Sequence, residues 1–153
     1  MTYFALYPSP IGMLVLLSDG TALTGLYPGS PEPHRQKENL SIFDSVKSWL
    51  DAYFTGNPKA VDFPLFPSGT VFQRRVWTLL AEIPYGETAT YGHLAKRLGN
   101  NMSAQAVGQA AGKNPIAIII PCHRLVGSKG QLTGYAWGIE KKKWLLAHEE
   151  ETK

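Results

Sequence analysis

"TATYGHLAKRLGNNMSAQAVGQAAGKNP", residues 88–115, reads as two short helices around a glycine. Tyr91 to Leu98 forms the first, Gly99 makes the turn, and residues 103–111 form the second. That is the outline of a helix-turn-helix. The second helix is nearly all Ala, Gly, Gln and Val. Small side chains let a helix lie close against something, either a neighbouring helix or a nucleic-acid groove. Helix pairs with glycine turns also serve purely structural ends, so the pattern sets architecture before purpose.

Just downstream, "NPIAIIIPCHRLVG" at 114–127 holds the only cysteine. The apolar run 116–120 reads as a buried strand that ends at Pro121 and presents Cys122, His123 and Arg124. A thiol near its reference pKa of ~8.5 is mostly protonated at neutral pH, and it needs a base or a positive environment to attack carbon. His123 and Arg124 are those residue types. Neighbours in an extended segment face opposite ways, so a turn at Pro121–Cys122 or a relay through water is required. A carboxylate behind the imidazole would hold its tautomer. Glu140, Glu149, Glu150 and Glu151 are candidates, and spacing does not choose among them. A packed, inert cysteine fits the same residues. Beyond it, a second hairpin is expected around Gly127-Ser128-Lys129-Gly130. A last helix is expected from about Ile139 to Glu150, with Ile139, Trp144, Leu145 and Leu146 inward.

Upstream, Thr70 is placed to cap a helix whose stripe is Phe72, Val76, Leu79 and Leu80, ended by Ile83-Pro84-Tyr85-Gly86. Earlier still, residues 2–7, 13–17 and 23–27 read as strands of a small antiparallel sheet, with Asp19-Gly20 as a hairpin signal. Residues 28–33 read as a loop. Phe43, Val46, Trp49, Leu50, Tyr53 and Phe54 then recur at helical spacing, stopped by Gly56 with Pro58 beyond. Residues 57–68 read as a connection. The expectation is an α+β chain: a sheet lobe with one helix over 1–65, and a helical lobe over 66–153 that carries the helix-turn-helix and the Pro-Cys-His-Arg segment.

The 153 residues, 44% hydrophobic and 18% charged, suit an ordinary globular protein. Disorder is expected only at residues 149–153. No apolar run is long enough to span a bilayer, and no membrane association is expected. No basic segment precedes the first apolar stretch and Asp19 interrupts it, so no signal peptide is expected. A single cysteine excludes an internal disulfide and a multi-cysteine zinc site, which fits a reducing, cytoplasmic setting. The net charge is +3. Residues 66–153 carry eleven Lys/Arg against six Glu, whereas 1–65 carry four against six acidic residues. A basic C-terminal part suggests an anionic partner, with nucleic acid the first candidate.

"KNPIAIIIPCHR" and "LTGYAWGIEKKKWLLAHE" strongly resemble the methylated-DNA–protein-cysteine methyltransferases, the O6-alkylguanine-DNA alkyltransferases. The likeness covers nearly the whole chain, with "SPIG" at 9–12, "FQRRVW" at 72–77, "IPYGETATYGHLA" at 83–95 and "AVGQAAGKNP" at 106–115 in family order. The resemblance implies a ribonuclease-H-like first lobe and a protein that accepts one alkyl group from a flipped O6-alkylguanine and stops. It implies Cys122 as acceptor, His123 as its base through a bridging water, Glu149 as the group orienting His123, and Asn114 as a brace for the turn. Tyr91 would push on the phosphate of the flipped nucleotide and touch the base. The second helix, with Ser103, Gln105, Ala106, Gly108 and Gln109, would enter the minor groove, and Arg124 would join the DNA contacts. Backbone groups of Cys122, Leu125 and Ala136 would hold the guanine edge, with Tyr135 and Trp137 completing the pocket. The implied partner is double-stranded DNA bound by a monomer, with no metal or cofactor. Two residues depart from the family: Gln105 stands where an arginine usually fills the gap left by the base, and Trp137 replaces a glycine and would narrow the alkyl pocket.

Three rival readings differ in class. A flagging module would bind alkylguanine with weak transfer or none, a thiol hydrolase would need a separate histidine and an oxyanion hole, and a transcription factor would need more base-reading side chains on the second helix.

Overall fold

The computed structural model describes residues 1–32, 36–37, 39–99 and 101–153. Contacts divide the chain into two units, Met1–Ser68 and Gly69–Lys153, so residues 66–68 fall with the first and not, as expected, with the second. Among the described residues no helix is long and apolar enough to cross a membrane.

In the first unit β1 (Tyr3–Ser9), β2 (Gly12–Ser18), β3 (Leu23–Pro28) and β4 (Gln36–Lys37) form a sheet of order β3-β2-β1-β4. Ser9 pairs with Gly12, and the tight turn between them needs the left-handed φ of 109° at Gly12. At the Asp19-Gly20 turn the Asp19 carboxylate accepts from the amides of Thr21 and Ala22 at 2.9 and 3.0 Å, an Asx turn. The sheet is mixed and not purely antiparallel, because β4 runs parallel to β1. Two polar residues leave no alternation to read, which is why β4 escapes the sequence. Pro33, the end of the expected loop, lies outside the described residues.

Helix α1 (Ser41–Phe54) buries Ile42, Phe43, Val46, Trp49, Leu50 and Tyr53, each worth roughly 1.5–3 kcal/mol if fully buried. Gly56, at φ 81°, closes it in a Schellman motif: Asn57 N–H donates to Ala52 C=O and Gly56 N–H to Tyr53 C=O. The expected connection 57–68 is in part an edge cover. Leu65 bridges Leu23, with Leu23 N–H donating to Pro64 at 2.9 Å and Phe66 N–H to Leu23 at 2.8 Å.

The second unit opens with α2 (Val71–Leu80), started by a reciprocal capping box between Thr70 and Gln73. Its buried stripe is Val76, Trp77 and Leu80; Phe72 and Leu79 are only half-buried. Trp77 takes their place because its indole N–H reaches the Ala110 carbonyl at 2.9 Å. A strand β5 (Ala89–Thr90) precedes α3 (Tyr91–Leu98), and α4 (Ala104–Gly112) follows the Gly99 turn. Thr90 and Ser103 cap these helices through the amides of His93 and Ala106. A strand β6 (Leu125–Val126) pairs parallel with β5, so the expected second hairpin does not form, although its turn does, through Gly130 N–H to Gly127 C=O.

Helix α5 (Ile139–Thr152) turns Lys142, Leu145 and Glu149 inward, while Ile139, Trp144 and Leu146 stay half-buried. The expected apolar face fails because two of the three inward residues carry charge. Nor does the chain fray at 149–153: the helix runs to Thr152, whose hydroxyl lies 2.6 Å from Tyr85 Oη.

Candidate active site

Asn114 governs the path into the cysteine. Its Oδ1 accepts from Ile116 N–H at 3.0 Å and its Nδ2 donates to Ile120 C=O at 2.8 Å. Between those anchors residues 116–120 wind through turns and are not the expected strand. Ile118 has φ 70°, the only non-glycine residue with positive φ among those described, and Ile119 N–H donates to Ala117 C=O at 2.8 Å. This is a γ-turn of the rare, strained hand. A second, relaxed γ-turn follows at Pro121, with φ −83° and ψ 66°, closed by Cys122 N–H to Ile120 C=O at 2.8 Å. Cys122–Arg124 is then a single 3₁₀ turn. The extended geometry that would send thiol and imidazole to opposite faces is therefore absent.

Of the four candidate carboxylates Glu149 is the partner. Its Oε2 lies 2.6 Å from His123 Nε2, and both side chains are buried. Glu150 and Glu151 are exposed, and the Glu140 side chain is 90% exposed. Burial pushes the Glu149 carboxyl up, but the bonds and charges of His123 and Arg124 outweigh it and hold it at about 2. Burial pushes the His123 imidazole down, against the pull of Glu149. His123 Nδ1 is buried and has no hydrogen-bond partner among the described residues. Burial likewise raises the Cys122 thiol, opposed by a hydrogen bond with the Asn114 side chain and by the charge of Lys142.

Cys122 keeps partial exposure on a cleft of about 510 Å³. Tyr91, Gln105, Gly108, Gln109, Tyr135 and Ala136 line it with the thiol. A methyl on Gly108 would touch the Tyr91 ring at 3.6 Å, so α4 lies close over that ring. Ser103 caps α4 and Ala106 is half-buried on it; neither lines the cleft. Leu125 is buried in β6, and Trp137, which follows the cleft-lining Ala136, is half-buried. Arg124 is no surface DNA contact. It is buried, with Nε and Nη2 on Glu149 at 2.8 and 3.1 Å and Nη1 on the Ile83 carbonyl at 2.6 Å.

Sequence reasoning missed Lys142, which is fully buried. Its Nζ donates to Tyr91 Oη at 3.4 Å and to the carbonyls of Thr133 and Gly134 at 3.2 and 3.3 Å, tying the cleft wall to the tyrosine. The signal was present: Lys142 lies two helical turns before Glu149, on the same face.

Fold and site together define a class: a single thiol beside a buried histidine–carboxylate pair, set in a helix-turn-helix unit. Residues 71–151 match the 6-O-methylguanine DNA methyltransferase DNA-binding domain, and residues 2–67 match the ribonuclease-like domain of the same enzyme. A methylated-DNA–protein-cysteine methyltransferase of Methanosarcina acetivorans is 46% identical, over 94% of this chain and 96% of its own length. That of Haemophilus influenzae is 44% identical over 97% and 86%. The crystal structure of Mycobacterium tuberculosis OGT in complex with DNA matches at TM-score 0.90 and 43% identity, covering 98% of this chain and 94% of that one. The chain belongs to the methylated-DNA–protein-cysteine methyltransferase family.

Proposed function

We propose that this protein repairs DNA by moving the alkyl group of O6-alkylguanine to Cys122 Sγ, once per molecule. The observation that carries it is the partly open thiol whose neighbour, His123, is backed by Glu149 at 2.6 Å. A base inside a duplex cannot offer its O6 substituent to a thiolate, so the nucleotide must be extruded into the cleft. His123 takes the thiol proton, the S–C bond forms as the C–O6 bond breaks, and the bonding pair remains on the purine. The purine is then protonated from solvent, and His123 returns its proton to water. Asn114 braces the turn. Tyr91 presses on the flipped nucleotide, and α4 enters the minor groove with Gln105 and Gln109 outward. The backbone of Cys122, Leu125 and Ala136 reads the guanine edge. A thioether product has no route back, so the protein acts stoichiometrically, as a cytoplasmic monomer.

The test is intact mass after incubation with an O6-methylguanine oligonucleotide. One methyl gained on Cys122 without turnover is expected. Tight binding with no mass change would instead support the flagging module.

A further inference from the structure

We infer, resting on that assignment of Cys122 and His123, that Arg124 is a positioning residue for the reacting pair: it clamps the Glu149 carboxylate against His123 and shares its negative charge. The Arg124 and Glu149 side chains are only 9% and 1% exposed, and they meet through a two-point fork. Oε2 of Glu149 serves both Arg124 Nη2 and His123 Nε2, at 3.1 and 2.6 Å. The fork fixes the plane of a carboxylate whose terminal torsion is otherwise soft. Both of its halves are anchored to one loop, since Nη1 donates to Ile83 C=O at 2.6 Å and Gly86 N–H donates to Oε1 at 3.2 Å.

The fork has a chemical consequence. A lone buried carboxylate would draw a second proton onto the imidazole, whereas one already paired with a guanidinium pulls less. The charged and titratable groups around His123 are Glu149 and Lys142 from α5, Arg124 and Cys122 from its own turn, and Tyr135 from the cleft wall, which senses both Cys122 and Glu149. Burial, helped by the charges of Arg124 and Lys142, outweighs the pull of Glu149 and leaves the resting imidazole neutral. With Nε2–H directed at Glu149, Nδ1 holds the free lone pair, and the thiol proton has a place to go. A bridging water would relay it: the Cys122 S–H bond breaks as that water takes the proton, and the water gives one of its own to Nδ1.

The test uses Arg124→Gln and Arg124→Lys in the full chain. The His123 ring is titrated by NMR without DNA, and Cys122 alkylation by iodoacetamide is followed across pH. Arg124→Gln should raise the imidazole titration by about one pH unit and shift the acid limb of thiol reactivity upward with it, because the protonated imidazole cannot accept the thiol proton. Arg124→Lys keeps the charge, so its titration should stay near wild type, while its transfer from alkylated duplex slows about tenfold for want of the fork. A folded Arg124→Gln with wild-type titration overturns the inference, as does Arg124→Lys with unchanged transfer. If Arg124→Gln does not fold, the lysine variant alone decides. Wild-type protein that takes no alkyl group from DNA would defeat the proposed function, yet the imidazole titration would still report on Arg124.

Discussion

Asn114 Nδ2 and the amide of Cys122 donate to one oxygen, the carbonyl of Ile120, each at 2.8 Å. The asparagine side chain and the Cys122 backbone thus meet at a shared acceptor. Asn114→Ala removes that bond and orphans the buried Ile116 amide, at a cost of about 1–3 kcal/mol. Transfer should fall further than stability does, because the thiol loses its hydrogen bond as well as its frame. Urea unfolding and single-turnover kinetics on the same sample check this; equal losses in both would reduce Asn114 to a fold element.

Cys122→Ser should abolish transfer and leave DNA affinity nearly intact. The hydroxyl is close in size but a poor nucleophile at neutral pH. Intact mass and a gel-shift titration read the two properties separately, and methyl gained at wild-type rate would remove Cys122 from its role.

Stability should fall on acidification in two windows. His123 is lowered from 6.5 by burial, so protons taken up by the unfolded chain begin to destabilise the fold below about 6.5. Glu149 is depressed from 4.5 to about 2, so its contribution is full above 4.5 and is lost as pH falls toward 2. That contribution is about 3 kcal/mol by linkage. Denaturant midpoints measured stepwise from neutral pH should trace both declines, and a flat profile below 4.5 would mean that Glu149 is not held ionised by its partners.

Gln105→Arg should speed repair of O6-methylguanine in duplex DNA while leaving reaction with the free base unchanged. A cationic fork can bond the orphaned base and also attract nearby phosphates, whereas a neutral amide does only the first. The salt slope of DNA binding should steepen by about 0.9. The ratio of duplex to free-base rates decides it; an unmoved ratio takes Gln105 away from the extrusion site.

What could be read in the sequence was local chemistry with a fixed offset. Thr70, Gly56 and the Asp19-Gly20 turn act through bonds to residues a few positions away. What could not be read had no period or a distant partner. The two-residue strands β4, β5 and β6 carry no alternation. Residues 116–120 mimic a strand because β-branched residues are strand formers, and only the Asn114 bracket winds them into turns. Arg124 was expected among the DNA contacts, and its burial could not be read because its partner stands 25 residues further along the chain. Lys142 was hidden among three consecutive lysines of which one turns inward.

Ile118 sets a limit on how this protein can be improved. Glycine would relax the left-handed backbone by roughly 1–2 kcal/mol, but emptying a buried isoleucine site costs more, roughly 2–5 kcal/mol or above. No single residue satisfies both the torsion and the cavity. Random stabilising libraries should therefore return isoleucine or a near-isosteric aliphatic at 118. Thermostable variants would have to gather their gains elsewhere, on α1 and the sheet, away from the turn that presents the thiol.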